Sequence, residues 1–372
     1  MDNSLNFELD NDALSGRLVI DLQALKTNYV KLAGLVGVAE AGAVVKADAY
    51  GLGAARIAPA LYEAGCRKFF VAHLQEAASL KRYLPKDARL YILNGLLPSG
   101  EKFAAANGFV PVLNSLEQIA NWAATARALA RELPAVLQFD TGMSRLGLSG
   151  EEIATLLDDP SLLDGIDMQF VMSHLASADE GGSQQNVDQL AVMKASAQLF
   201  PDVSLCFANS GGIFLGGTYH GALVRPGIAL YGGIPTDAAT TRMQQVVRLD
   251  ARVIQTRTVP AGTLVGYSGA HLTSRETRLA TIAAGYADGL PRSLSDRGAA
   301  YFGETRLPIV GRVSMDSITL DVSALPSGTL KLGSLVELIG PHQTLEDIAA
   351  AAGTISYEIL TSLGHRYHRE YV

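Results

Sequence analysis

Eight short apolar, β-branched or aromatic runs alternate with helical stretches between residue 40 and about residue 235, and this rhythm restricts the fold more than any other feature of the chain. The runs are AVVKAD, KFFVAH, RLYILNG, FVPVLN, AVLQFDTG, MQFVMSH, VSLCFANS and ALVRPGIALYG, each ending in polar or small residues. Between them lie ARIAPALYEAG, LQEAASLKRYL, GEKFAAANG, SLEQIANWAATARALARELP, EEIATLLDD and the Gln-rich QQNVDQLAVMKASAQLF. Many of these open on Ser, Asn or Gly, as helix N-caps do. Only GGIFLGG, after the seventh run, is too short for a full helix. Strands buried on both faces read as continuous apolar runs. Eight of them in β/α alternation predict an α/β fold whose N-terminal part is a closed (β/α)8 TIM barrel.

After Tyr231 the texture changes. GGIPTDAATTRM reads as a linker, and LDARVIQTRTV, TRLATIAAGYAD, SITLDVSAL and SLVELIG are short alternating segments split by Gly, Pro and Ser turns. A C-terminal, mainly β domain follows, with helical signal only in LEDIAAAAG and ISYEILTSLG. A chain of 372 residues has room for both. The expected division is 15–238 for the barrel and 239–372 for the β domain, with a strand near 17–21 that could belong to either.

Charge and targeting signals narrow the function. A net charge of -7 and a pI near 5.5, without any basic run, argue against a nucleic-acid partner. The opening MDNSLNFELDNDALSG has no basic and apolar leader pattern, and no apolar stretch is long enough to span a bilayer. Cys66 and Cys206 sit in or beside apolar segments and read as reduced, packed thiols. A cytoplasmic protein with no membrane partner is the expectation.

The polar residues then fall into place. In a parallel barrel the functional face lies at the C-terminal ends of the strands. Lys46, Asp140, Arg145, His174, Asn209, Ser210 and Arg225 all fall at or just beyond such ends. Taken singly, Lys46 reads as a solvated charge and His174 as a core histidine; together at one mouth they read as a catalytic or cofactor site. A lysine partly desolvated there has a lowered pKa and condenses with an aldehyde, and glycine-rich turns such as ANSGG and RPGIALYG suit a phosphate. Pyridoxal phosphate carries both groups. Two other motifs are weaker. GLGAAR at 51–56 begins like a dinucleotide fingerprint, but its sixth position is Arg56 and the next strand ends in His73 rather than an acid. HRYH at 365–368 reads as part of a polar tail rather than a metal site, since no Cys, Asp or Glu stands at ligand spacing around it.

VVKADAYGLGA resembles the cofactor-lysine motif of alanine racemase, a fold-type III pyridoxal-phosphate enzyme. FDTGMSRLG, MSHLASAD, ANSGG, VRPGIALYG, VGYSGA, AGYADG, GRVSMD and TISYE resemble that family's other signatures, in order and over nearly the whole chain. The resemblance implies that Lys46 holds pyridoxal 5'-phosphate covalently and acts as one base, with Tyr267 as the opposing base. Tyr50, Ser210, Gly227, Ile228 and Tyr357 would surround the phosphate, with Asn209 also on the cofactor side. Arg225 would face the pyridine nitrogen, supported by His174. Arg145 would meet the cofactor phenolate and the substrate carboxylate, Met315 the same carboxylate, and Tyr286 the access path. A homodimer sharing its active sites between subunits, and a small amino-acid substrate, are implied with them. L- and D-alanine would be interconverted, either supplying D-alanine for peptidoglycan or degrading it.

Two positions depart from the family. Seven residues before the motif arginine, where many members have a carbon-dioxide-modified lysine, this chain has Gln138, and Ser314 precedes Met315 where some relatives have cysteine. A neutral amide cannot supply a carbamate's charge, so either its carbonyl oxygen alone orients Arg145 or a bound anion does. A racemase of another small amino acid such as serine, or a decarboxylase on the same plan, is the alternative reading.

Overall fold

The computed structural model describes residues 13–239 and 241–372, so most of the opening segment read for a leader lies outside the described residues. The chain divides into two compact units, Gln23–Gln244 and the described residues through Leu22 together with Gln245–Val372.

In the first unit the strands Lys68–Val71, Arg89–Ile92, Val110–Leu113, Leu133–Gln138, Ile166–Met172, Leu205–Asn209 and Leu223–Arg225 pair in parallel and in chain order. The first strand of the barrel comes in two pieces, Glu40–Ala41 and Ala43–Val44, on either side of Gly42. Glu40–Ala41 pairs with the last strand and Ala43–Val44 with the second, so this one segment closes the ring. The Gly42 amide donates to the Val224 carbonyl (2.9 Å) and the Val44 amide to that of Pro226 (2.9 Å), while Val45 donates to Phe70 on the other side (2.8 Å). Gly42 suits this split position because a Cβ there would lie 2.8 Å from the Phe70 ring. Phe69, Phe70, Tyr91 and Phe207 are fully buried. Each such side chain contributes roughly 1.5–3 kcal/mol of burial free energy.

As the short GGIFLGG stretch suggested, the seventh strand is followed by two 3-10 turns, Gly212–Leu215 and Gly217–Tyr219, in place of a long helix.

The second unit is built on one long strand, Val247–Val259, which pairs antiparallel with Gly16–Ile20, Leu335–Ile339 and Thr277–Ile282. Register shifts between Leu249 and Asp250 and between Val253 and Gln255 bend it, so its two halves serve different neighbours. The helices Leu345–Ala352 and Ser356–Ser362 occupy the segments where helical signal was read. HRYH is no polar tail: Tyr367 is 3% exposed and His368–Tyr371 forms a strand parallel to Gly16–Ile20. Among the described residues no helix is long and apolar enough to cross a membrane.

Candidate functional site

Lys46 lies two residues past the end of the ring-closing strand, after Val45, and the chain then turns left-handed. Ala47, Asp48, Ala49 and Tyr50 all have φ between 53 and 56°, a left-handed turn made without glycine until Gly51. Left-handed geometry costs an L-residue about 1–2 kcal/mol, so four in a row represent about 4–8 kcal/mol of local strain that the surroundings must hold. Glu76 is the main clamp. Its carboxylate accepts from the Ala47 amide (2.7 Å) and from the amides of Ala72 (2.6 Å) and His73 (3.2 Å). Asp48 accepts from the Ala54 amide at the start of the next helix (2.7 Å). The turn leaves Lys46 part-buried and carries Tyr50 into the interior, its ring 4.7 Å from that of Tyr231.

Burial, more than anything else, holds the Lys46 ammonium below its ordinary value; the Arg145 guanidinium adds to the effect, Glu76 opposes it and Arg225 reinforces it. A larger share of this amine is therefore neutral near pH 7 than in a solvated lysine.

Arg225 ends the last strand and is 3% exposed. Its guanidinium donates to the carbonyls of Cys206 (3.0 Å), Ser173 (2.7 Å) and Phe207 (3.3 Å), to the Cys206 sulfur (2.9 Å) and to Nδ1 of His174 (3.4 Å). None of these partners carries a formal charge. Since a guanidinium only donates, Nδ1 of His174 accepts and the ring proton belongs on Nε2. Desolvation first, then Arg225, Arg145 and Lys46, hold the His174 imidazole well below its usual range. The sign for stability follows. Below about pH 6.5 the unfolded histidine takes up a proton that the native one refuses, so stability falls with pH at up to ~1.4 kcal/mol per unit. The urea midpoint of the wild type should drop more steeply between pH 7 and pH 5 than that of His174→Gln; parallel slopes would show that the imidazole is not held neutral.

Arg145 is exposed on the loop after Leu133–Gln138. Asp140 shapes that loop, its Oδ1 accepting from the amides of Gly142, Met143 and Ser144, each at 3.0 Å. Burial works against the charged form of Asp140, but these amides hold its carboxyl below the ordinary value. Gln138, the departure noted in the sequence, is 5% exposed beneath the loop.

On the far side of the mouth, the Ser210 hydroxyl accepts from the amides of Gly227 (2.7 Å) and Ala229 (3.4 Å). Gly227 and Ile228 are buried, and a Cβ on Gly227 would run into the Tyr50 hydroxyl, so a larger residue there would push that side chain aside. Asn209 secures the adjoining turn, accepting from the Gly212 amide (2.9 Å) and donating to the Leu175 carbonyl (3.4 Å).

The remaining predicted residues lie in the second unit. Tyr267 stands at the tip of a tight hairpin between Leu264–Val265 and His271–Leu272 and is 69% exposed. Arg312 Nη1 donates to the Ser268 hydroxyl (3.0 Å), which ties this hairpin to the GRVSMD loop carrying Met315. Tyr286 and Met315 come together through paired backbone bonds, Tyr286 to the Ser314 carbonyl (3.0 Å) and Ala287 to that of Met315 (3.0 Å). Arg366 bolts the two loops, bidentate on Asp288 (2.6 and 2.7 Å) and single on Asp316 (2.7 Å). Tyr357, on Ser356–Ser362, is partly exposed.

Glu76, Asp288 and Arg366 were not singled out from sequence. Glu76 could have been, as the acid three residues into a helix after a strand-end His, a capping-box spacing. Among the described residues no group of three or more His, Cys, Asp or Glu is placed to hold a metal.

Comparison with known proteins adds a family match, two relatives and a solved structure. Residues 20–235 match the family description "Alanine racemase, N-terminal domain" and residues 246–371 "Alanine racemase, C-terminal domain". The chain is 61% identical over 372 residues to "Alanine racemase, catabolic" of Agrobacterium fabrum, covering 100% of this chain and 96% of that one. It is 57% identical over 384 residues to the alanine racemase of Brucella canis, covering 99% and 97%. A crystal structure of alanine racemase from Bartonella henselae with covalently bound pyridoxal phosphate superposes with a TM-score of 0.93 at 46% identity, covering 96% of this chain and 99% of that one.

Proposed function

The chain belongs to the alanine racemase family, and from that premise we propose that it interconverts L- and D-alanine with pyridoxal phosphate and two bases, Lys46 and the Tyr267 of a second copy. The single observation that carries this reading is the strained lysine turn facing a mouth furnished with Arg145, His174 and Arg225.

The residues fit the cofactor. Ser210, Tyr50 and the close backbone approach at Gly227, with buried Ile228 next in the chain, offer a polar cradle for a phosphate. When bound, the cofactor draws electron density from the substrate's α-carbon and so acidifies its α-proton. Everything else falls to the chain. Lys46 would hold the cofactor, and as a free amine it would take or return the proton on one face, which its lowered pKa favours. Tyr267 serves the other face. Racemisation needs a base on each face, and the two belong to different units of the fold. Arg145 and the Met315 of the second copy orient the substrate carboxylate, and that copy's Tyr286 lines the approach. Arg225 has no lone pair to accept a proton, so it would keep the pyridine nitrogen opposite it neutral, with His174 behind it; a weaker electron sink disfavours side reactions such as transamination.

A homodimer with shared sites is supported by the exposed apolar rim around Tyr267, where Leu264, Leu272 and Met315 are 67%, 60% and 52% exposed. Buried, free Cys66 and Cys206 agree with a cytoplasmic setting. Of the two physiological directions, supply of D-alanine for peptidoglycan or its degradation, the relatives named catabolic at 61% identity favour degradation.

The test is a D-amino-acid-oxidase assay over a panel of L-amino acids, with visible absorbance and peptide mass mapping after borohydride treatment. D-alanine formation and a reduced cofactor adduct on the Lys46 peptide are expected. No cofactor band, or turnover of serine in preference to alanine, would overturn the assignment.

A further inference from the structure

The helix Gln184–Gln198 buries Asn186, Gln189 and Met193, three residues at the spacing of one helix face. Two of the three are amides, in a stripe where leucine is usual, and each is 1% exposed. A buried amide is costly unless bonded, so its partners say what it is for. Gln189 Oε1 accepts from the Ala176 amide (2.8 Å), and Nε2 donates to the His174 carbonyl (2.9 Å) and the Thr141 hydroxyl (3.2 Å). Thr141 is in turn paired with the Ser173 hydroxyl (2.8 Å). Gln185 adds a bond from its Nε2 to the Gly142 carbonyl (2.9 Å).

Those partners belong to two loops. Thr141 and Gly142 open the loop that carries Arg145. Ser173 and His174 supply the carbonyl (2.7 Å) and the imidazole (3.4 Å) that hold the Arg225 guanidinium. We propose that Gln189, acting with Thr141, is a positioning residue that fixes the Arg145 loop against the His174–Arg225 pair. It thereby sets where the substrate carboxylate sits relative to the cofactor. The proposal rests on the functional reading above, in which Arg145 and Arg225 meet substrate and cofactor. Gln189 touches neither.

A merely structural role makes a different prediction, because methionine fills the same volume as glutamine and would cost only stability. The variants Gln189→Met, Thr141→Val, Thr141→Ser and the double Gln189→Met/Thr141→Val are compared as holoenzymes. Gln189→Met is expected to raise KM for L-alanine about tenfold with kcat changed about threefold or less, as a displaced binding group does. Thr141→Val should raise KM in the same direction and Thr141→Ser should restore it. The double variant should be no worse than Gln189→Met alone, since both changes cut one path. The visible circular dichroism of the bound cofactor, which reads its orientation, should change in Gln189→Met and Thr141→Val and return in Thr141→Ser. Unchanged KM and dichroism with a lowered melting temperature, or multiplying effects in the double variant, would overturn the proposal. If Gln189→Met does not fold, the Thr141 pair decides it. A wild type that racemises nothing would strike the functional reading instead, and the dichroism comparison would still decide this one.

Discussion

Replacing Lys46 with alanine is expected to abolish racemisation, a fall of about 10⁴-fold or more, because the proposed mechanism gives this one residue both the covalent anchor and one of the two bases. Borohydride should then fix no cofactor to the protein. The same change should stabilise the apo fold slightly. Lys46 is held below its ordinary pKa chiefly by burial, with Arg145 and Arg225 adding repulsion. Native state and unfolded chain therefore compete unequally for its proton. Between the lowered native value and the ordinary one the unfolded state binds more protons, so this lysine disfavours the fold as pH drops through that window. Alanine removes the penalty. A Lys46→Ala protein that kept measurable alanine racemisation would refute its central role, and an apo melting temperature below that of the wild type would contradict the account of its buried charge.

Tyr267→Phe separates the two faces of the reaction. It should cut racemisation by about 10³-fold, in both directions alike because the equilibrium cannot change. Exchange of the α-proton with solvent should behave otherwise. In deuterium oxide the enantiomer whose proton faces Lys46 should go on exchanging it, and its mirror image should stop. Symmetrical loss of exchange would mean that Tyr267 holds structure rather than a proton, and symmetrical retention would leave Lys46 as the sole base. The hydroxyl's place at the tip of an exposed hairpin makes the change structurally mild, since Tyr267 is 69% exposed in the single chain.

Much of this was legible in the amino-acid sequence, and the illegible part has a common cause. Strand identity is local: runs such as KFFVAH and VSLCFANS are apolar on both faces because both faces are covered, and no partner need be known to see it. Lys46, His174 and Arg225 were found because a parallel barrel collects its strand ends at one mouth, which turns position along the chain into position in space. The left-handed turn after Lys46 was invisible, since Ala, Asp, Ala and Tyr all favour ordinary geometry and the main clamp on them is the distant Glu76. Gln189 was hidden likewise inside a helix read as merely Gln-rich, its amide bonded to Thr141 and His174 in two other loops. HRYH looked like a tail because Asp288 and Asp316, the partners of Arg366, lie in separate segments. Pattern reading finds what a residue is among its neighbours in sequence. It misses what a residue does for a neighbour in space.

The split first strand has a consequence for how the protein is made. Glu40 pairs with Leu223 and Ala43 with Phe69, so the segment that ends at Lys46 is joined on one side by the earliest contacts of the barrel and on the other by the last. Such a pairing has a high contact order and a large loop-closure cost, and it forms late. On a ribosome, the reactive amine therefore emerges among the first residues of the barrel yet reaches its desolvated setting only when the eighth strand arrives.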